Sequence, residues 1–164
     1  MPTTSKKKSN PWVQQLASIK EFFDRSTREL SEEDSAFAPA PGMYTAAQQV
    51  AHAAQTVDWF LDGAFAKAGF SMDFEGLDKE VRKVSSLKKA RLAWDKSIRR
   101  AQEIVAKKTA KQMEASLPPG PIMGGEPRSH VFSALADHTA HHRGALTVYQ
   151  RLLKKIPAMP YMDM

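Results

Sequence analysis

Apolar residues recur at intervals of three and four along four long stretches of this chain, and nowhere do they alternate singly with polar ones as a strand would require. That periodicity admits helices, so the expected class is all-α. A first helix is expected from Pro11, with Asn10 as cap and Pro at the first helical position, to near Leu30; Trp12, Leu16, Ile19 and Phe23 form its stripe. It stops before the acidic, proline-broken SEEDSAFAPAPG. A second is expected from Tyr44 to about Ala68, where Gly69 can end it, with Val50, Ala54, Val57, Leu61 and Phe65 as its stripe. The mixed segment FSMDFEGLDKEVRKV leads to a third helix that Ser85 or Ser86 can cap, with a narrow seam of Leu87, Ala90, Trp94, Ile98, Ala101 and Val105. SLPPGPIMGGEP, Ser116 to Pro127, holds too much Pro and Gly for a helix and is expected as a loop, of a length that is often functional. A fourth helix follows, from Arg128 to about Lys155. Four such helices around one core make a four-helix bundle, whose facing helices commonly build metal sites.

A chain of 164 residues, 42% of them hydrophobic, suffices for one domain, expected over residues 11–164. Residues 1–10, with Lys6, Lys7 and Lys8 among Ser, Thr and Pro, read as a disordered basic tail. The chain has no cysteine, which excludes disulfides, iron–sulfur clusters, thiolate zinc sites and catalysis by a protein thiol. Any metal must be held by nitrogen and oxygen. The net charge of +6 is spread among 18 acidic residues and forms no recognition motif, so nucleic acid is not an expected partner. No apolar run approaches the ~20 residues of a membrane span, so no membrane partner is expected and the expected location is the cytoplasm.

Chemistry concentrates in ADHTAHHRGALTVYQ, Ala136 to Gln150. On a helical wheel, His138 and His142 flank the centre of the apolar stripe and point inward, while His141 lies on its edge and His130 further out. Histidines four apart sit about 6 Å from one another along the axis and can converge on one first-row metal ion, or be two hydrogen-bonded imidazoles at a core edge. Thr139 follows His138, so the HExxH pattern of zinc proteases is absent. Two histidines under-ligate a tetrahedral ion, and the only histidine outside the expected fourth helix is His52. It lies opposite the stripe of the second helix, on a face with Gln48, Gln55, Thr56 and Trp59, and reads as a surface or cleft residue. Trp59 and Gln55 could line a pocket there or belong to a helix interface. Asp137 could orient an imidazole or face water, and Tyr149 reads as core.

The blocks HTAHHRGALTVYQRLL and PGMYTAAQQVAHAAQTVDWFL, with SEEDSAFAPAPG and PAMPYMDM, resemble the DinB-like (DinB/YfiT-like) metalloenzyme family over nearly the whole chain. The resemblance implies an up-down-down-up four-helix bundle with its long connection at Gly69 to Val84, and His52, His138 and His142 as three metal ligands. His141 matches a position that is often histidine without being a ligand. Arg143 and Gly144 match the motif, whereas Ala145 stands where many members carry Gln. The resemblance also implies a homodimer and a divalent metal, Zn, Ni, Fe or Mn. The expected function is that of a metal-dependent enzyme acting on a small-molecule substrate, as a transferase that uses an external low-molecular-weight thiol or as a hydrolase. The other reading is a non-catalytic metal-binding or dimeric interaction and sensor module.

Overall fold

The computed structural model describes residues 10–162. The basic tail expected over residues 1–10 thus falls, except for Asn10, outside the described residues. There are six α-helices, α1 (Pro11–Thr27), α2 (Ala46–Phe65), α3 (Phe74–Arg82), α4 (Leu87–Ala106), α5 (Ala110–Glu114) and α6 (Val131–Leu152), and no strand among the described residues. The four long ones are those expected. α1 opens on Asn10, whose Oδ1 accepts from the Trp12 amide at 2.9 Å while its Nδ2 donates to the Val105 carbonyl at 3.1 Å. One side chain therefore caps one helix and ties it to the end of another.

Cross-helix pairs give each direction. Gln15 reaches Phe132 and Gln150 reaches Ser26, so α1 and α6 run parallel. Asn10 meets Val105 and Asp24 meets Trp94, so α4 opposes α1. Gln49 meets His142, and Arg128 donates to the Ala64 carbonyl, so α2 opposes α6. The order is up-down-down-up. Two parallel neighbours, α2 and α4, need a chain that returns the length of the bundle between them, and residues 66–86 with α3 supply it. This return runs along α2: Trp59 Nε1 donates to Ser71 O, Gln55 Nε2 to Leu77 O and Gln48 Nε2 to Arg82 O, at 2.8–3.0 Å. The polar face of α2 is therefore the seat of the crossover.

The core lies where all four stripes meet. Trp94 is 1% exposed, its ring 4.5 Å from that of Phe23, and its indole N–H donates to Asp24 Oδ1 at 2.9 Å. The large ring is thus buried without orphaning its one polar atom. Boundaries differ from the periodicity by a few residues. α1 ends at Thr27, although Leu30 is still buried through a turn. α2 ends at Phe65 because Ala66 is extended, and Gly69 with φ +70 turns the chain into the crossover. Residues Arg128–His130 form a 3-10 turn before α6, which stops at Leu152 ahead of Lys154 with φ +62. Nothing in the periodicity singled out α3 or α5, since both are short. No described helix is long and apolar enough to cross a membrane.

Candidate metal centre

His52 projects from α2, and His138 and His142 project from successive turns of its antiparallel neighbour α6. The three rings form one cluster, with centroids 5.1 Å apart for His52 and His138, 4.7 Å for His52 and His142, and 4.4 Å for His138 and His142. One ring nitrogen from each lies within 4.8 Å of the others. Nε2 of His138 and Nε2 of His142 are 3.2 Å apart. Two nitrogens each ~2.1 Å from one ion at the tetrahedral angle would be about 3.4 Å apart, so the helix already sets this pair at a ligand spacing.

The orientation of His142 is fixed by a directional chain of hydrogen bonds. The Tyr44 carbonyl can only accept, so the Tyr149 hydroxyl donates to it at 2.8 Å. The Tyr149 oxygen then accepts from Gln49 Nε2 at 3.3 Å. This turns Gln49 Oε1 toward His142, whose Nδ1–H donates to it at 2.6 Å. His142 is left with its lone pair on Nε2, facing His138. Gln49 and Tyr149 are both buried. Such a partner on the far ring nitrogen sets tautomer and ring angle in metal sites.

Burial is the largest influence on all three rings and lowers their proton affinity. His142 is pushed down from 6.5 to about 3, with His138, His52 and His141 adding to the effect of burial. His138 is pushed down to about 4 by burial and by the rings of His52 and His141, against the opposing pull of Asp137. His52 is lowered too, with Gln55 and Asp78 partly offsetting its desolvation. All three are neutral at pH 7 and so ready to donate a lone pair. Four buried side-chain N or O atoms make no hydrogen bond among the described residues, and two of them are here, Nδ1 of His52 and Nδ1 of His138. The donor set, three neutral imidazoles and no thiolate, fits a borderline divalent ion such as Zn, Ni, Fe or Mn.

Beside the cluster is a cavity of about 280 Å³ between α2 and α3, bounded by His52 and His138 at one end. Trp59, Phe60, Phe74 and Leu77 make most of its wall. At its rim the Tyr44 hydroxyl donates to Asp78, and Arg82 Nε donates to the other Asp78 oxygen at 2.8 Å. Burial and the Asp78 carboxylate push the Tyr44 hydroxyl up to about 12. The Tyr44 ring also lies 5.5 Å from that of His52.

The sequence placed His138 and His142 inward, and both face the cluster; His52, left as a surface or cleft residue, lies in a cleft because α3 covers its face. His141 is exposed with its ring edge-on to His142, His130 is exposed and paired with Glu126, and Asp137 faces water. Arg143 stacks near Phe22 and Tyr161, away from the cavity. Tyr149 is core, as read, but it also holds Gln49. The Ser116–Pro127 loop contributes nothing to this cavity: Leu117 plugs the far end of the bundle. Gln49, Tyr44, Asp78 and Phe74 escaped the sequence reading. An amide three residues before His52 was a usable signal for Gln49, since that spacing shares a helix face.

A family model described as the DinB superfamily matches residues 16–146. No curated protein matches the sequence significantly. Among solved structures, YfiT from Bacillus subtilis, described as a probable metal-dependent hydrolase with an unusual four-helix bundle topology, superposes with a TM-score of 0.68 at 14% identity, covering 94% of this chain and 93% of that one. At that identity the likeness is one of fold.

Proposed function

The chain belongs to the DinB superfamily, and from that premise we propose that it is a metal-dependent enzyme whose His52, His138 and His142 hold one divalent ion for hydrolysis of, or thiol transfer to, a small molecule. The observation that carries this reading is the convergence of three imidazoles from two helices beside a cavity between α2 and α3. A divalent ion held there would act as a Lewis acid and lower the pKa of a water or a small thiol to near neutrality. The chain's own contributions can be stated atom by atom. Gln49 Oε1 holds the Nδ1–H of His142 and keeps its Nε2 available. Burial keeps the three rings unprotonated at neutral pH, so no proton has to be displaced for them to act as ligands. Neutral donors leave the charge of the ion undiminished. The α2–α3 wall excludes bulk water from one side, which strengthens electrostatic interactions inside. Hydrolysis stands ahead of transfer, because YfiT is described as a probable metal-dependent hydrolase and any reacting thiol would have to come from outside a chain without cysteine.

Metal content by mass spectrometry tests the reading, on protein purified without chelator or affinity tag and compared with His52→Ala, His138→Ala and His142→Ala. The expected result is near-stoichiometric metal in the wild type that each substitution removes. Absence of metal after reconstitution with zinc, nickel, iron and manganese would overturn it and put the non-catalytic interaction module in its place. If metal is found, hydrolysis is separated from transfer by turnover with and without an added small thiol.

A further inference from the structure

Resting on the reading of the histidine cluster as the reactive centre, we propose that the substrate presents an uncharged aromatic or similarly bulky apolar group to the cavity between α2 and α3. Size is the first argument. The cavity is about 280 Å³, roughly twice the ~150 Å³ that accommodates benzene, and so holds one substituted or fused ring. Shape is the second: the Trp59 ring packs on Phe60, Phe70 and Phe74 at 4.7–6.1 Å, and its indole N–H is fixed to Ser71 O. The wall is therefore built before any ligand arrives. Phe74, which lines the cavity, is 52% exposed, so part of its apolar surface is free to be covered by a ligand.

Asp78 is the only formally charged residue lining the cavity among the described residues, and its carboxylate is taken up by Tyr44 and Arg82. Among the described residues that line the cavity there is no unpaired cation to receive a carboxylate or phosphate, and no free anion to receive an ammonium. A charge carried into this space would lose part of its hydration without a partner. The histidines bound one end, so the ring sits against Trp59 and Phe74 while the bond to be broken or formed lies toward His52 and His138.

The test is ligand-observed fluorine NMR on the full chain stripped of metal, so that no ion can capture an anionic probe. The probes are 5-fluoroindole and 4-fluorobenzyl alcohol, against 4-fluorobenzoate and 4-fluorobenzylammonium. The neutral probes are expected to bind at least about tenfold more tightly than the charged ones. Leu77→Trp, which fills the cavity from α3, is expected to weaken them by a similar factor, and Phe74→Ala by a smaller one, with circular dichroism confirming that both variants fold. Leu92→Ala, at an exposed position of α4 that does not line the cavity, should leave probe binding within about twofold of wild type. Equal binding of neutral and charged probes, no binding of the neutral ones, or binding unaltered by both cavity variants would overturn the proposal. Probe binding without metal in the reconstituted protein would sink the metalloenzyme reading alone. Metal without probe binding would sink the cavity proposal alone.

Discussion

Gln49 is the residue on which the histidine cluster most depends outside itself, and replacing it gives a worked test of the hydrogen-bond chain. When His142 Nε2 is a ligand, its Nδ1 must carry the proton, and in Gln49→Leu that buried N–H has no acceptor. An unsatisfied buried donor costs ~1–3 kcal/mol. In the metal-free variant the imidazole can escape part of this by moving its proton to Nε2, which faces His138 Nε2 at 3.2 Å and can donate there. The penalty therefore falls more on the metal-bound state than on the free one, and it weakens affinity rather than only stability. Loss of such a partner typically weakens metal binding ~10–100-fold, about 1.4–2.7 kcal/mol, which lies within that range. Gln49→Glu keeps an acceptor at the same place and should bind metal at least as tightly as wild type. Tyr149→Phe removes the anchor one bond further out and should cost less than Gln49→Leu. Competition with a chromophoric chelator measures all three, with helicity followed by circular dichroism. Wild-type affinity in a folded Gln49→Leu protein would refute the reasoning.

The metal-free protein should lose stability as pH falls. Its three clustered histidines have folded-state values below the ordinary 6.5 of the unfolded chain, so the unfolded state binds more protons, and the loss begins near 6.5 and continues through about 4 for His138 and about 3 for His142. Thermal midpoints in chelator from pH 8 to 4 should fall, and fall less in His138→Asn; a flat wild-type profile would contradict the burial of these rings. Gly63→Ala places a methyl group inside the Phe70 ring that packs the crossover on α2, and should destabilise by ~1–3 kcal/mol in chemical denaturation. Asn10→Ala removes the cap of α1 and its tie to Val105, and should cost ~1 kcal/mol by the same assay; no change would mean that α1 gains nothing from either bond.

The four long helices were legible because each has to bury a stripe, and Leu16, Phe23, Val57, Trp94 and Leu146 mark those stripes at helical spacing whatever surrounds them. His138 and His142 were legible for the same reason: both lie on one helix, so their relation is set by the geometry of a single turn. The absence of cysteine likewise limited the chemistry before any fold was known. His52 was different. Periodicity could say only that it lies off the core stripe, because a wheel records which residues share a face and not what covers that face. The resemblance named it, and the geometry explains it: residues 66–86 must return along α2 for two parallel helices to be neighbours, and that return turns an outward face into a cleft.

Local spacing and residue chemistry were enough to set the number of long helices and their approximate extent, their buried stripes, the inward pair on α6 and the restriction to nitrogen and oxygen donors. Helix-to-helix packing was needed to bring His52 to that pair, to let Gln49 set the tautomer of His142 through Tyr149 and the Tyr44 carbonyl, and to make Phe74 and Leu77 wall a cavity beside them. Each of those joins residues from different helices, and such contacts are set by helix direction and crossover path, which no local repeat encodes.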